Sequence, residues 1–375
     1  MTTRSIQQAA PFTCDIFCRV IDNYGDIGVT WRLARQLATE YAATVRLIVN
    51  DLTSFQKLLP AVVPDLPQQS VDGIAVFLWC DTLNLTHAAD LIIEAFGCEL
   101  PTPYMAQMMR RKAKPVWINL EYLSAESWVE DHHLLPSPHP TLPLTKFFFF
   151  PGFTPRTGGL IRERDLIATR NTTASSPDAN MLHVLMFGYD WAPAEALLAA
   201  MAQANKPVSC GVSNSGLSGK LMHWRGMPGK KTPGAAPDLA FHIVPFVTQH
   251  EFDFLLWRHD VLFVRGEDSF VRAQWAGKPF VWQIYPQADG VHLIKMDAFL
   301  QRYCVGLTAP VEAAVRDLWR VWNNPNTLEI GPVWAAFINQ LPALNVHATR
   351  WAQQLSEMPD LAANLLSFYR KNVKI

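Results

Sequence analysis

The sequence carries little charge and no surplus of either sign. Only 17% of its 375 residues are charged, and 32 Lys+Arg against 33 Asp+Glu leave a net charge of −1. This near balance argues against a broad phosphate-binding surface and so against sequence-nonspecific nucleic-acid binding. Apolar residues make up 49% of the chain, which excludes a disordered protein. The length suggests two domains of ~100–200 residues each.

Cysteine is scarce and scattered. The six cysteines form no CxxC pair, and no HxH or HExxH spacing suggests a zinc site. We therefore expect no bound metal and no disulfide framework, which suits a reducing cytoplasm. The chain also lacks an apolar leader and any run of ~18 apolar residues. These absences predict a soluble cytoplasmic protein that is neither secreted nor bound to a membrane.

Short apolar runs alternate with amphipathic segments along the chain. CDIFCRVI at 14–21 is typical of a buried strand, and TWRLARQLATEY at 30–41 of a helix. Such alternation implies right-handed βαβ crossovers and a mostly parallel sheet. A polar stretch at 156–180 indicates a linker, after which the alternation restarts at 181. Residues 214–237, rich in Gly, Lys and Pro, are predicted to be a long surface loop.

This organisation predicts an α/β protein with two Rossmann-like, doubly wound domains facing a cleft. The first domain would span residues 1–165 and the second 178–345, with a helical tail at 346–375 packing across the junction. Ligands of open parallel sheets bind at the carboxyl ends of the strands. The loops that follow the strands are therefore the segments in which we expect the chemistry.

The first such loop is DNYGDIG, residues 22–28. It precedes a helix, whose N-terminus adds partial positive charge. Only Gly25 and Gly28 are present, so the GxGxxG dinucleotide fingerprint is absent. Asp22 and Asp26 could act as base and orienter, or together bind a cation. An aspartate that caps the helix beside turn-forming glycines is the plainer interpretation, and spacing alone favours it.

The second loop lies in VRGEDSFVRAQWAG, residues 264–277. Gly266 lets the backbone approach a ligand, and the N–H groups of the following helix suit a diphosphate. Asp268 or Ser269 is well placed to cap that helix. Glu267 and Asp268 would repel a bare phosphate, so we expect them to face a ribose, a sugar or a cationic acceptor. An ordinary acidic first helical turn explains the pattern equally well.

Two aromatic turns follow predicted strands in the second half of the chain. They are FGY at 187–189 and PFVTQ at 245–249. Aromatic side chains at one sheet edge could sandwich a nucleobase while Gln249 reads its polar edge. Packing in the core is the simpler explanation of such rings.

Taken together and in this order, these segments resemble the elongation factor P arginine rhamnosyltransferases, the EarP family. The similar stretches span nearly the whole chain and are DNYGDIGVTWRLARQL, NLEYLSAESWV, LPSP, FFFFPGFTPRTGGLIRE, FGY, PFVTQHEFDFLLW and VRGEDSFVRAQWAGKPFVWQIY. The resemblance implies a GT-B fold and transfer of L-rhamnose from dTDP-β-L-rhamnose to one arginine of elongation factor P. It also implies inversion at the anomeric carbon, with neither a metal nor another cofactor.

The resemblance assigns roles to residues by position. Asp26 matches the family's proposed general base, Asp22 its companion acid, and Glu267 a third acid needed for activity. The donor-binding positions that it implies are Asn23, Tyr24, Gly25, Phe187, Tyr189, Phe246, Val247, Thr248, Gln249, Arg265, Gly266, Glu267, Asp268 and Ser269. Of these, Tyr189 and Phe246 are expected near the thymine.

Two other functions stay open at this point. The chain could be another metal-independent sugar-nucleotide enzyme of the same architecture, either a small-molecule glycosyltransferase or an epimerase. It could also be a noncatalytic module that binds a translation factor. The presence of all three acids, Asp22, Asp26 and Glu267, argues against an inert descendant.

Overall fold

The chain forms two compact units in a computed structural model. The structure describes residues 11–21, 24–81, 83–173, 178, 180–204, 206–225, 239–324 and 329–373. Unit 1 comprises Met1–Arg164 and Met358–Ile375, and unit 2 comprises Asp165–Glu357. The last segment of the chain therefore belongs to the first unit.

Unit 1 is built on a sheet of eight strands. The strands are β1 (Thr13–Cys18), β2 (Thr44–Val49), β3 (Gln68–Val71), β4 (Ile74–Leu78), β5 (Leu91–Ala95), β6 (Val116–Leu120), β7 (Pro136–Pro138) and β8 (Thr145–Phe149). Their helices are α1 (Gly25–Tyr41), α2 (Leu52–Leu58), α3 (Thr102–Arg110) and α4 (Trp128–His132). The sheet order is β3-β4-β2-β1-β5-β6-β8-β7, parallel except for the two edge strands β3 and β7. β5 and β6 are buried along their whole length, as expected of central parallel strands covered on both faces.

Unit 2 is built on a parallel sheet of five strands. The strands are β9 (Leu182–Met186), β10 (Val208–Ser213), β11 (Leu239–Val244), β12 (Val261–Arg265) and β13 (Phe280–Gln283), in the order β11-β10-β9-β12-β13. Its helices are α5 (Leu166–Thr173), α6 (Ala194–Met201), α7 (Gly216–Arg225), α8 (Gln249–Trp257), α9 (Asp268–Ala276), α10 (Val291–Tyr303), α11 (Ala309–Asn323), α12 (Ile330–Asn339) and α13 (Leu341–Ser356). The final helix, α14 (Leu361–Asn372), packs in unit 1.

An aromatic core fixes α9 in unit 2. Phe270 of α9 packs against Phe280 of β13 and Phe299 of α10, with ring centroids 6.1 and 4.9 Å away. Trp319 of α11 stacks on Phe299 at 5.4 Å. All four rings are nearly inaccessible to solvent, and rings of this size dominate the burial energy of a core. The start of α9, which carries predicted donor-binding residues, is therefore held by a rigid layer.

Three predictions of local structure need correction. α1 begins at Gly25 rather than at residue 30, because burial of Ile27 and Val29 outweighs the poor helix propensity of two glycines. The polar stretch at 156–180 contains α5. The predicted loop at 214–237 contains α7, which buries Leu217 and Leu221 completely, four residues apart on one face. Residues 226–237 of that prediction lie outside the described residues.

Candidate active site

Asp26 lies in the first turn of α1 with its carboxylate fixed. Its Oδ2 accepts a hydrogen bond from the backbone N–H of Ile21 at 2.7 Å, and its Oδ1 accepts one from the hydroxyl of Tyr122 at 3.1 Å. The side chain is 2% exposed. The N-cap position belongs to Tyr24, and no side-chain hydrogen bond caps the helix there. Asp26 is therefore not the helix cap of the plainer interpretation, and the helix N-terminus favours its negative charge.

The remaining predicted residues of this loop are less informative. Gly25 is the first residue of α1 and Tyr24 immediately precedes it. Asp22 and Asn23 lie outside the described residues, so their predicted roles stay predictions.

Tyr122 is a residue of this site that sequence reasoning missed. It follows β6, and its ring stacks on that of Phe96, which follows β5, with centroids 4.3 Å apart and an interplanar angle of 15°. Tyr122 lies within the stretch NLEYLSAESWV, but only the order of strands in the sheet shows which side chain of that stretch reaches Asp26. The signal available in the sequence is that Tyr122 lies two residues beyond the apolar run VWINL at 116–120.

In unit 2, Arg265 joins the first aromatic turn. Its guanidinium lies 4.7 Å from the ring centroid of Phe187 and 4.6 Å from that of Tyr189. Its Nη1 also donates to the carbonyl of Gly188 at 3.4 Å. The parallel order of the sheet, with β9 beside β12, brings the ends of these two strands together. The structure thus brings the Arg265 cation onto two aromatic rings that lie more than seventy residues earlier in the sequence.

Gln283 is hydrogen-bonded to the backbone of this turn, and it is not among the site residues predicted from the sequence. It is fully buried, and its Oε1 accepts a hydrogen bond from the backbone N–H of Tyr189 at 2.6 Å. It pairs in register with Arg265 across β12 and β13. A Cβ atom at Gly188 would lie 2.9 Å from the same Oε1, so a larger residue there would force Gln283 or the turn to move. A polar residue at the end of an apolar strand was the only signal in the sequence.

The loop from Gly266 to Ser269 lies between β12 and α9. Gly266 has φ +65°, a conformation that favours glycine, and its carbonyl accepts from Trp282 Nε1 at 2.8 Å. The N-cap of α9 is Glu267, so the predicted capping by Asp268 or Ser269 is wrong. The Ser269 hydroxyl instead bonds back to the backbone N–H and carbonyl of Arg265. The Arg265 side chain and the first N–H groups of α9 together provide positive potential that suits a diphosphate.

The second aromatic turn leads into α8. Thr248 caps that helix in a reciprocal capping box with Glu251, and hydrogen bonds from Thr248 lower the pKa of Glu251. Gln249 is buried, and its Nε2 lies 3.4 Å from Asp268 Oδ2, so it links α8 to the loop between β12 and α9. Val247 is partly buried and Phe246 is 49% exposed.

The predicted acids divide between the units, with Asp26 in unit 1 and Glu267 in unit 2. Within the ranges that the structure describes, no group of three His, Cys, Asp or Glu side chains could hold a metal ion. All six cysteines are free thiols. None of the described helices combines the length and apolar character that a bilayer crossing requires.

Comparison with known proteins gives matches over nearly the full chain. A family model described as Elongation-Factor P (EF-P) rhamnosyltransferase EarP matches residues 14–370. The chain is 43% identical to a protein-arginine rhamnosyltransferase of Pseudomonas putida, covering 96% of this chain and 99% of the relative. It is 40% identical to the Pseudomonas aeruginosa protein of the same name, covering 95% and 98%.

Solved structures agree with these sequence matches. One described as the structural basis for EarP-mediated arginine glycosylation of translation elongation factor EF-P is similar with a TM-score of 0.67 and 32% identity. It covers 96% of this chain and 99% of that chain. MurG of Acinetobacter baumannii is similar in fold alone, with a TM-score of 0.51, 12% identity, and coverage of 96% and 99%. The predicted fold class is confirmed: it is a GT-B fold with two α/β units, each built on a mostly parallel sheet.

Proposed function

The chain belongs to the EarP family of EF-P rhamnosyltransferases and is a glycosyltransferase, and from this premise we propose that it transfers L-rhamnose from dTDP-β-L-rhamnose to an arginine of EF-P. The supporting observation within the structure is the cluster of Arg265, Phe187 and Tyr189 at the start of α9. We further propose that the protein acts in the cytoplasm, without a metal and with inversion of the anomeric carbon.

Unit 2 binds the donor in this proposal. The positive potential of Arg265 and the α9 N-terminus suits the diphosphate and stabilises the charge that develops as it leaves. Tyr189 and the exposed ring of Phe246 are available to the thymine. Glu267, at the N-cap of α9, faces the sugar in this proposal, because its carboxylate would be repelled by the phosphates.

Asp26 of unit 1 acts on the acceptor. Arginine is a poor nucleophile because its cation is delocalised and its pKa exceeds ~12. A carboxylate cannot deprotonate it fully in the ground state. Asp26 instead binds the guanidinium and holds charge away from the attacking nitrogen. As the N–C1 bond forms and the C1–O bond to dTDP breaks on the opposite face, that nitrogen becomes acidic and its proton passes to Asp26.

Mass spectrometry of EF-P tests the proposal. After incubation with the enzyme and dTDP-β-L-rhamnose, we expect EF-P to gain the mass of one deoxyhexose on a single arginine. Asp26→Asn should abolish transfer while leaving dTDP affinity nearly intact, because its carboxylate does not bind the donor. Asp65→Asn, an exposed acid of the same unit, is the matched control and should transfer normally.

Two outcomes would contradict these assignments. An Asp26→Asn variant that transfers normally at saturating donor but loses nucleotide binding would show that Asp26 is not the base. Calorimetry that finds equal or absent binding of dTDP and UDP would instead favour a noncatalytic module, because a donor site for dTDP-rhamnose must prefer its own nucleotide.

A further inference from the structure

Tyr122 connects two loops at the carboxyl edge of the unit 1 sheet. Its hydroxyl donates to Asp26 Oδ1 at 3.1 Å, while its ring stacks on Phe96. Tyr122 is 39% exposed, so its side chain does not serve mainly to fill the core. A large ring held half in solvent with its polar end on a buried carboxylate calls for a reason other than burial.

The backbone holds the supporting ring under strain. Phe96 has φ +57°, a left-handed conformation that costs a bulky residue roughly 1 kcal/mol or more. Its N–H donates to the carbonyl of Leu120 at 2.7 Å, and the next N–H, of Gly97, donates to Asn119 Oδ1 at 3.1 Å. These two bonds fasten the end of β5 to the end of β6. The Phe96 ring, carried by this segment, lies against the ring of Tyr122.

We infer that Tyr122 is a positioning residue that orients the Asp26 carboxylate toward the acceptor arginine, an inference that rests on the proposed function. Asp26 is held through both oxygens, by the Ile21 N–H on one and the Tyr122 hydroxyl on the other. Bonds from two sides restrict rotation of the carboxylate about its Cβ–Cγ bond. A group that binds a guanidinium and then receives its proton needs such a fixed direction, because small misplacements cost large factors in rate.

Steady-state kinetics of Tyr122→Phe separate this role from a structural one. The variant keeps the ring and its stacking on Phe96 and loses only the hydroxyl. A hydrogen bond to a charged group is worth enough to give a fall in kcat of about tenfold or more, with the KM for dTDP-β-L-rhamnose unchanged. Tyr122→Leu, which also loses the stacking, should lower kcat at least as far. Tyr41→Phe, at the other end of α1, is the control for loss of a tyrosine hydroxyl and should match the wild type.

The outcome that overturns the inference is a Tyr122→Phe variant with kcat within twofold of the wild type. A change in donor KM alone would also overturn it, because Tyr122 would then act on the donor rather than on Asp26.

A double-mutant cycle in urea unfolding tests the contact without any transfer assay. Tyr122→Phe, Asp26→Ala and the double variant should show a coupling of about tenfold in the unfolding equilibrium constant. Additive effects would contradict the inference, because the hydroxyl would then not interact with Asp26. An unmodified EF-P with the wild-type enzyme would contradict the proposed function instead, and the cycle would still report whether Tyr122 orients Asp26.

Discussion

Replacing Gly188 by alanine should disturb the proposed donor site through the buried side chains that pack against its first aromatic turn. The new Cβ would lie 2.9 Å from Gln283 Oε1, 3.2 Å from Leu217 Cδ2 and 3.4 Å from Trp322 Cζ2. The first distance is shorter than real Cβ contacts allow, so either Gln283 or the turn must move. If Gln283 moves, the N–H of Tyr189 loses an acceptor that now lies at 2.6 Å.

The size of the effect follows from these alternatives. Loss of a buried hydrogen bond costs about 1–3 kcal/mol, and overpacking a core costs about the same. Movement of Gln283 would break the hydrogen bond but relieve the overpacking, so the two costs do not add. We therefore expect the free energy of unfolding to fall by about 1–3 kcal/mol. Displacement of the turn also moves Tyr189 away from Arg265, so dTDP should bind about tenfold more weakly, equivalent to ~1.4 kcal/mol.

Urea unfolding and calorimetric titration with dTDP measure the two effects. Gly219→Ala is the matched control, because Gly219 is an exposed glycine inside α7 and a Cβ atom added to it would have no neighbour within 4 Å. That substitution should stabilise the protein by up to about 1 kcal/mol through helix propensity and leave dTDP binding unchanged. A Gly188→Ala variant with wild-type stability and dTDP affinity would refute the packing argument.

Two further predictions concern stability. Burial lowers the pKa of His133 from 6.5 to about 4, and its neutral Nδ1 accepts from the Phe150 N–H at 3.1 Å. The free energy of unfolding is therefore highest above pH ~6.5, and it should fall by about 2 kcal/mol as the pH falls to ~5, because the unfolded state then binds a proton that the folded state does not. Thermal unfolding measured against pH should show this slope, and the His133→Gln variant should lack it. Asp253→Ala breaks a buried bidentate pair with Arg272 at 2.6 Å and should cost about 3–5 kcal/mol in urea unfolding. Glu312→Ala, in a more exposed pair, should cost less than about 1 kcal/mol, and equal losses would contradict the role given to burial.

The pattern of apolar runs is enough to predict the two α/β units and the loops that hold the candidate site. Central parallel strands are short apolar runs, and amphipathic helices between them imply parallel pairing, so the strand within residues 14–21 can be recognised from the sequence. The predictions of local structure were wrong where tertiary packing outweighed the local amino-acid composition. α7 forms in a stretch of glycine and lysine because two leucines on one face reach the core.

Which side chains meet in each candidate site depends on the three-dimensional arrangement of the strands. Tyr122 reaches Asp26 across 96 residues of chain, and Gln283 reaches the N–H of Tyr189 across 94. Neither pairing follows from spacing, because the order of strands in a sheet sets which loops are neighbours and many orders suit one pattern of apolar runs. A hydrogen bond also requires placement to a few tenths of an ångström, and that precision comes from the packed core beneath each loop.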